Sequence, residues 1–166
     1  SPVEIFYVGS AAPETVAARL KAIFLQMERN PISLPAQTAF QGGDVGDFTE
    51  CMEVAQGKLS MGFVTPITNR DADFAAMQVM NTLFGAGMTS KLFMQVREKQ
   101  SLCYSIGSGY YGSKGIMTVS AGIDFDKEPF VREEILRQLQ ACRDGDITNE
   151  ELTAAKEAIL SGLRGV

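Results

Sequence analysis

Arg97 and Tyr104 are the residues whose types and spacing could carry a binding function in this chain. They lie in "LFMQVREKQSLCYSIGSGYYGSKG" (92–115), where a helical pattern ends in a charged patch and a tyrosine-rich, glycine-spaced segment begins. A guanidinium offers a planar fork of N–H donors, and a phenol hydroxyl seven residues later can add one more. Two such donors suit a peptide substrate. The structural alternative is that Arg97 only complements the dipole at the end of its helix.

The sequence lacks the residues that usually form a hydrolytic active site. The chain has no histidine, which removes the commonest zinc ligand and the usual base of a serine or thiol nucleophile. Cys51, Cys103 and Cys142 are widely spaced and fit neither a disulfide framework nor a metal site. Cys103 lies in a strand pattern and is interpreted as a core residue rather than a nucleophile. No metal ion and no cofactor are expected in this chain.

A glycine-rich segment, "GAGMTS" at 85–90, precedes a predicted helix, where backbone N–H groups could hold an anion. It follows a helix rather than a strand and lacks the Gly-Lys-Thr or third glycine of a nucleotide fingerprint. We therefore interpret it as a tight helix-to-helix turn whose glycines adopt positive φ.

Composition limits the classes of partner. The 166 residues carry a net charge of -5, which argues against nucleic acid or anionic lipid as a partner. No apolar run approaches the roughly 18 residues that cross a bilayer, and the amino terminus lacks a signal-peptide pattern. Three scattered cysteines favour reduced thiols and a cytoplasmic location.

The first half of the chain predicts a strand, a helix, a long connection and a second strand. "VEIFYV" at 3–8 is β-branched and aromatic, and Pro13 can open a helix with one apolar stripe. The proline- and glycine-rich region from about 30 to 47 has no sustained period. Alternating apolar residues within 53–66 then predict a strand with one buried face.

The second half predicts two helices, a hairpin and two more helices. An apolar helix after Asp71 ends at the glycines, and a second helix runs from Thr89 or Ser90 to about Gln100. "YSIGSGYY" and "GIMTVSAGI" alternate about a turn at 112–115. The last helix begins with a Thr-x-x-Glu capping box at 148–151. This order favours an α+β fold, a two-layer sandwich of helices on one face of a largely antiparallel sheet.

The run "NTLFGAGMTSKLFMQVREKQSLCYSIGSGYYGSKGIMTVSAGI" resembles the carboxyl-terminal half of the M16 zinc peptidase family, which includes pitrilysin, insulin-degrading enzyme and mitochondrial processing peptidase. The shared pattern is Leu-x-Gly-x-Gly-Met-x-Ser-x-Leu, then Val-Arg-Glu-Lys, then Leu-x-Tyr-Ser, and a hairpin that closes at Ala-Gly. The match is strong over about residues 81–124.

The resemblance implies that zinc binding and substrate binding belong to different domains. In that family two homologous α+β domains enclose a chamber: one carries a His-x-x-Glu-His zinc motif, and the other contributes an Arg and a Tyr that hold the substrate backbone near the scissile bond. Those two positions fall on Arg97 and Tyr104, which would hydrogen-bond substrate carbonyls and help to stabilise the oxyanion. Zinc would lie in a partner domain or subunit, so this chain alone is not expected to be active.

Two other functions remain open. The chain could be an inactive peptidase homologue that acts as a structural or protein-interaction module, or an independent enzyme that uses Cys103, which is disfavoured. The apolar stripe still runs at the last residues, so the sequence is expected to be a truncated fragment. The resemblance implies that residues 1–166 are a single M16-like carboxyl-terminal domain of a longer, two-domain chain.

Overall fold

The structure is a computed structural model that describes residues 3–28, 30 and 42–165. The chain divides into two compact units, residues 1–36 and 37–166. Among the described residues, no helix combines the length and apolar character needed to cross a bilayer.

The described residues of the first unit form one helix, α1 (Pro13–Leu25), which begins at a proline as predicted. The strand predicted at 3–8 is wrong, since these residues form no ladder with any described segment. β-branched and aromatic residues favour a strand only when a partner strand and packing are available. Side chains of Val3, Ile5 and Tyr7 instead line an apolar groove of about 530 Å³ against α1.

The long connection predicted at about 30 to 47 falls largely on residues 31–41, outside the described part of the chain. Its described residues, 42–47, and those that follow to 56 form neither helix nor strand.

Within residues 42–165, the second unit is built on an antiparallel sheet of three strands in the order β1-β3-β2. They are β1 (Gly57–Val64), β2 (Ser105–Tyr111) and β3 (Ile116–Ile123). The predicted hairpin is confirmed, with Ser108 opposite Val119. Its turn needs a glycine, because Gly115 has φ +65° and an added Cβ would lie 2.8 Å from the carbonyl oxygen of Thr65.

The helices of the second unit agree with the predicted order. They are α2 (Phe74–Phe84), a π-helix (Leu92–Lys99), α3 (Glu128–Arg143) and α4 (Asn149–Arg164). The capping box is confirmed: the Glu151 N–H donates to the Thr148 hydroxyl at 3.1 Å, and the Glu151 carboxylate accepts the Thr148 N–H at 2.9 Å. A short 3₁₀ turn, Phe125–Lys127, connects β3 to α3.

The glycines at 85 and 87 do not adopt positive φ, so that part of the prediction is wrong. Gly85 has φ -155° and ψ -1°. Its lack of a side chain matters because an added Cβ would lie 2.6 Å from Ser108 Oγ and 2.8 Å from Leu92 Cδ1. The turn therefore requires close packing on β2 rather than a left-handed backbone.

One face of the sheet and the helices enclose the core. Alternate residues of β3 are buried, in the order Met117, Val119, Ala121 and Ile123. They belong to one cluster with residues from α2, the π-helix and α3, including Phe84, Leu92, Val96, Val131 and Ile135. The α+β class and the helix-on-sheet layering are as predicted. The core anchors the π-helix through Leu92 and Val96, and that anchoring positions Arg97 in its last turn.

Candidate functional site

Arg97 lies in the last turn of the π-helix. Leu92 and Val96 are fully buried and fix this helix, while the side chain of Arg97 is 40% exposed. Its guanidinium carbon lies 4.7 Å from the centre of the Phe93 ring, and Nη1 lies 3.6 Å from a carboxylate oxygen of Glu98. The stacking limits the rotamers of Arg97 and leaves most of its donors available.

The backbone turns sharply between Arg97 and Tyr104. The N–H of Ser101 donates to the Arg97 carbonyl at 3.1 Å, and the N–H of Leu102 donates to the Val96 carbonyl at 3.0 Å. Ser101 has φ +51°, and no other non-glycine residue in the described part of the chain has positive φ. A left-handed residue after a helix satisfies its last carbonyls and redirects the chain, so the turn leads directly into β2.

Tyr104 is held from two sides by the end of β3. Its backbone N–H donates to the Gly122 carbonyl at 2.8 Å. Its hydroxyl donates to Asp124 Oδ1 at 2.5 Å, the short distance expected for a bond to a carboxylate. Because this hydrogen bond favours the protonated phenol, it raises the pKa of Tyr104, and Coulombic repulsion from Asp124 adds to the effect. The same bond lowers the pKa of Asp124.

Lys127 connects this pair to the turn. Its Nζ lies 3.3 Å from Asp124 Oδ2 and donates to the Ser101 carbonyl at 3.2 Å. A continuous network thus runs from Tyr104 through Asp124 and Lys127 to the turn that follows Arg97.

These residues surround one open depression of about 370 Å³. We call it the Arg97 depression, and its lining is Arg97, Glu98, Ser101, Leu102, Cys103, Tyr104, Asp124 and Lys127. The structure therefore brings the two residues singled out in the sequence to the same concave surface. Sequence reasoning missed Asp124 and Lys127. The signal that could have found Asp124 is the antiparallel pairing of the hairpin. It sets Ser105 opposite Gly122 and so places Asp124, the residue after β3, beside Tyr104.

Cys103 borders the depression but belongs to the core cluster, as interpreted from the sequence. Burial raises the pKa of its thiol, an effect that the positive charges of Arg97 and Lys127 only partly oppose. A protonated, buried thiol is a weak nucleophile, so this geometry does not favour chemistry at Cys103.

The donor set of the described residues does not fit a zinc ion. Within residues 3–28, 30 and 42–165, no three of the side chains that commonly bind metals come together. The sequence also contains no histidine.

Comparison with known proteins identifies a family. The sequence profile described as "Peptidase M16 inactive domain" matches residues 2–159. A protein of Bacillus subtilis (strain 168) named "Probable inactive metalloprotease YmfF" is 32% identical over 95% of this chain and 37% of its own length. An "Uncharacterized zinc protease" of Rickettsia felis is 31% identical over 67% of this chain and 27% of its own length. The chain thus spans well under half of these curated relatives.

Solved structures agree with the fold. A conserved protein from Enterococcus faecalis V583 is 36% identical, with a TM-score of 0.65 over 66% of this chain and 26% of its own. A protease from Helicobacter pylori has a TM-score of 0.73 over 95% of this chain and 39% of its own. At 19% identity, that second likeness concerns the fold alone.

Proposed function

The chain belongs to the family of peptidase M16 inactive domains, and from that premise we propose that it is the non-catalytic, substrate-binding half of an M16-type zinc-dependent peptidase. In this role it helps to enclose a peptide in a chamber whose zinc site lies on another domain or subunit. Neither nucleic acid nor a membrane is part of this function.

The single observation that carries the proposal is the joint position of Arg97 and Tyr104 in one open depression. Both side chains are accessible, and both are fixed by their surroundings: Arg97 by the ring of Phe93 and Tyr104 by Asp124. Fixed polar groups lose little conformational entropy when they bind a peptide. Such a surface can orient a substrate backbone without supplying the reacting groups itself.

The zinc-bearing M16 domain or subunit is the partner that the proposal requires. Two features support it: the described residues offer no zinc site, and relatives of much greater length include proteins named as zinc proteases. We accordingly propose that residues 1–166 form the carboxyl-terminal M16-like domain of a longer, two-domain arrangement. Zinc would supply the activated water there, while this chain holds the peptide.

Reconstitution with a zinc-bearing M16 domain tests the proposal. Arg97→Ala and Tyr104→Phe should each lower kcat/KM for peptide hydrolysis, by about tenfold to hundredfold for the charged donor and somewhat less for the phenol. Far-ultraviolet circular dichroism and size-exclusion chromatography should show unchanged folding and association. Unchanged turnover in both variants would refute the assigned roles.

Matched controls separate the site from general surface effects. Tyr111→Phe alters a tyrosine that is 58% exposed, as Tyr104 is, but that lies at the other end of β2. Arg70→Ala alters an exposed arginine near the hairpin turn. Both controls should retain full activity.

The second candidate is an inactive homologue that acts as a structural or protein-interaction module. The name "Probable inactive metalloprotease" on a relative aligned with 95% of this chain favours it. Exposed apolar side chains in the first unit, such as Phe6 and Val8, are consistent with a protein interface. This candidate predicts stable association with a partner chain that survives Arg97→Ala and Tyr104→Phe, with no peptide binding to lose.

A further inference from the structure

The hydroxyl of Tyr104 has only one proton, and that proton is already donated to Asp124 at 2.5 Å. A hydrogen bond to an ionised acceptor is roughly twice as strong as one to a neutral acceptor. A peptide carbonyl that competed for this proton would therefore replace a strong bond with a weaker one. What Tyr104 can still offer to a ligand is its oxygen lone pairs.

Asp124 is itself restrained, and its position therefore fixes the direction in which the Tyr104 hydroxyl donates its proton. Lys127 lies 3.3 Å from its second carboxylate oxygen and is also bonded to the Ser101 carbonyl. The backbone of Tyr104 is paired with Gly122, two residues before Asp124. Donation to a carboxylate also polarises the phenol oxygen, which makes it a better acceptor.

Arg97 has the opposite character. Its guanidinium carries five N–H donors and no acceptor. Among the described residues its polar contact is a 3.6 Å ion pair with the neighbouring Glu98. Arg97 and Tyr104 therefore present one donor group and one acceptor group to the Arg97 depression, the complement of the C=O and the N–H of a peptide backbone.

We infer that Asp124 is a positioning residue that fixes the Tyr104 hydroxyl as a hydrogen-bond acceptor, so that Arg97 binds a carbonyl and Tyr104 binds an N–H of the same extended peptide. This inference rests on the proposed function and deepens it, since it assigns a polarity to each contact. It differs from the expectation based on resemblance, in which both side chains donate to substrate carbonyls.

Peptide analogues that lack one backbone N–H test the polarity. The probe is a short fluorescein-labelled peptide, selected from a random library by its binding to the unaltered protein. In each analogue, one backbone N–H at a time is replaced by an ester oxygen. Dissociation constants are measured by fluorescence anisotropy. At one position the ester should weaken binding by about fivefold, the usual value of one neutral hydrogen bond.

Substitutions then show which side chain causes the weaker binding of the ester analogue. The ratio of ester to amide dissociation constants should fall to about one in Tyr104→Phe. It should fall nearly as far in Asp124→Ala, because the freed hydroxyl can turn and donate to the ester. Asp124→Asn keeps an oxygen acceptor at the same place and should retain an intermediate ratio. Asp126→Ala removes a nearby charge without touching the Tyr104 bond, and Arg97→Ala removes the donor; both should retain the full ratio.

The outcomes are separable. If neither Arg97→Ala nor Tyr104→Phe weakens binding of the amide peptide, the proposed function fails. If both weaken it but the ester ratio is unchanged in Asp124→Ala, the proposed function stands and the positioning role of Asp124 is overturned. Circular dichroism of Asp124→Asn, which is nearly isosteric with the native residue, controls for loss of folding.

Discussion

Lys91 and Glu151 form an ion pair, with 2.9 Å between Nζ and Oε1, that joins the residue before the π-helix to the first turn of α4. The side chain of Lys91 is 7% exposed and that of Glu151 is 24% exposed. The other oxygen of the same carboxylate accepts the N–H of Thr148. One carboxylate therefore connects two helix starts that are far apart in the sequence.

Lys91→Met tests this connection. Methionine keeps the apolar stem of the side chain but leaves Glu151 as a partly buried charge without its partner, so we expect the free energy of unfolding to fall by about 2–3 kcal/mol. Urea denaturation followed by circular dichroism measures the change. The control is Arg132→Met, which breaks pairs with Asp47 and Glu128 on an exposed surface and should cost about 1 kcal/mol or less. Equal losses would show that burial of the Lys91 pair contributes nothing.

The stability of the protein should depend on pH through Glu151. Burial alone would raise its pKa, but the Thr148 N–H and Lys91 together outweigh burial, and the pKa of Glu151 lies below its ordinary value of 4.5. A group whose pKa is lowered by folding stabilises the folded state above its unfolded pKa, and this contribution is lost as the pH falls through the folded value.

We therefore expect the free energy of unfolding to decrease as the pH is lowered from about 5 towards 3. Glu151→Gln should be less stable near neutral pH and should lose less over the same acid range. Urea titrations at several pH values measure both slopes. Parallel curves for the two proteins would contradict the role of Glu151.

Gly85 should not tolerate a side chain. In Gly85→Ala the new Cβ would meet Ser108 Oγ at 2.6 Å and Leu92 Cδ1 at 2.8 Å. Relief of that overlap must shift β2 or the π-helix, at a cost of about 1–3 kcal/mol in unfolding free energy. Gly87→Ala is the matched control, because nothing lies within 4 Å of its added Cβ. A thermal or urea unfolding series should separate the two variants, and a Gly85→Ala protein as stable as Gly87→Ala would refute the close packing.

Cys103 should react slowly with alkylating agents. Its thiol is buried, and burial raises its pKa, whereas Cys51 is exposed. With iodoacetamide near neutral pH, mass spectrometry of peptide fragments should show modification of Cys51 well before that of Cys103. Rapid alkylation of Cys103 in the folded protein would revive the hypothesis of a reactive thiol.

Local signals in the sequence predicted most of the second unit. The alternation in β1, the paired runs of the hairpin and the capping box at Thr148 each depend on residues that are close in the chain. Their structural consequences are therefore visible without knowledge of the fold. The position of Arg97 near a helix end belongs to the same class.

What the sequence did not predict depends on long-range contacts. "VEIFYV" has strand propensity, but a strand also requires a partner, which composition does not specify. Gly85 was assigned a positive φ, whereas the constraint is the approach of Ser108, which lies 23 residues later. Asp124 was not predicted because its importance comes from the hydrogen bond that it accepts from Tyr104, which directly precedes the neighbouring strand β2.

The hairpin register has a consequence for variation in length. Ser105 pairs with Gly122 because the turn between β2 and β3 has a fixed number of residues. A one-residue slip would exchange Asp124 for Ile123 or Phe125 beside the Tyr104 hydroxyl. Surface turns usually accept insertions and deletions. The turn at 112–115 should not, since its length determines whether a carboxylate or a hydrocarbon meets the phenol at the opposite end of the hairpin.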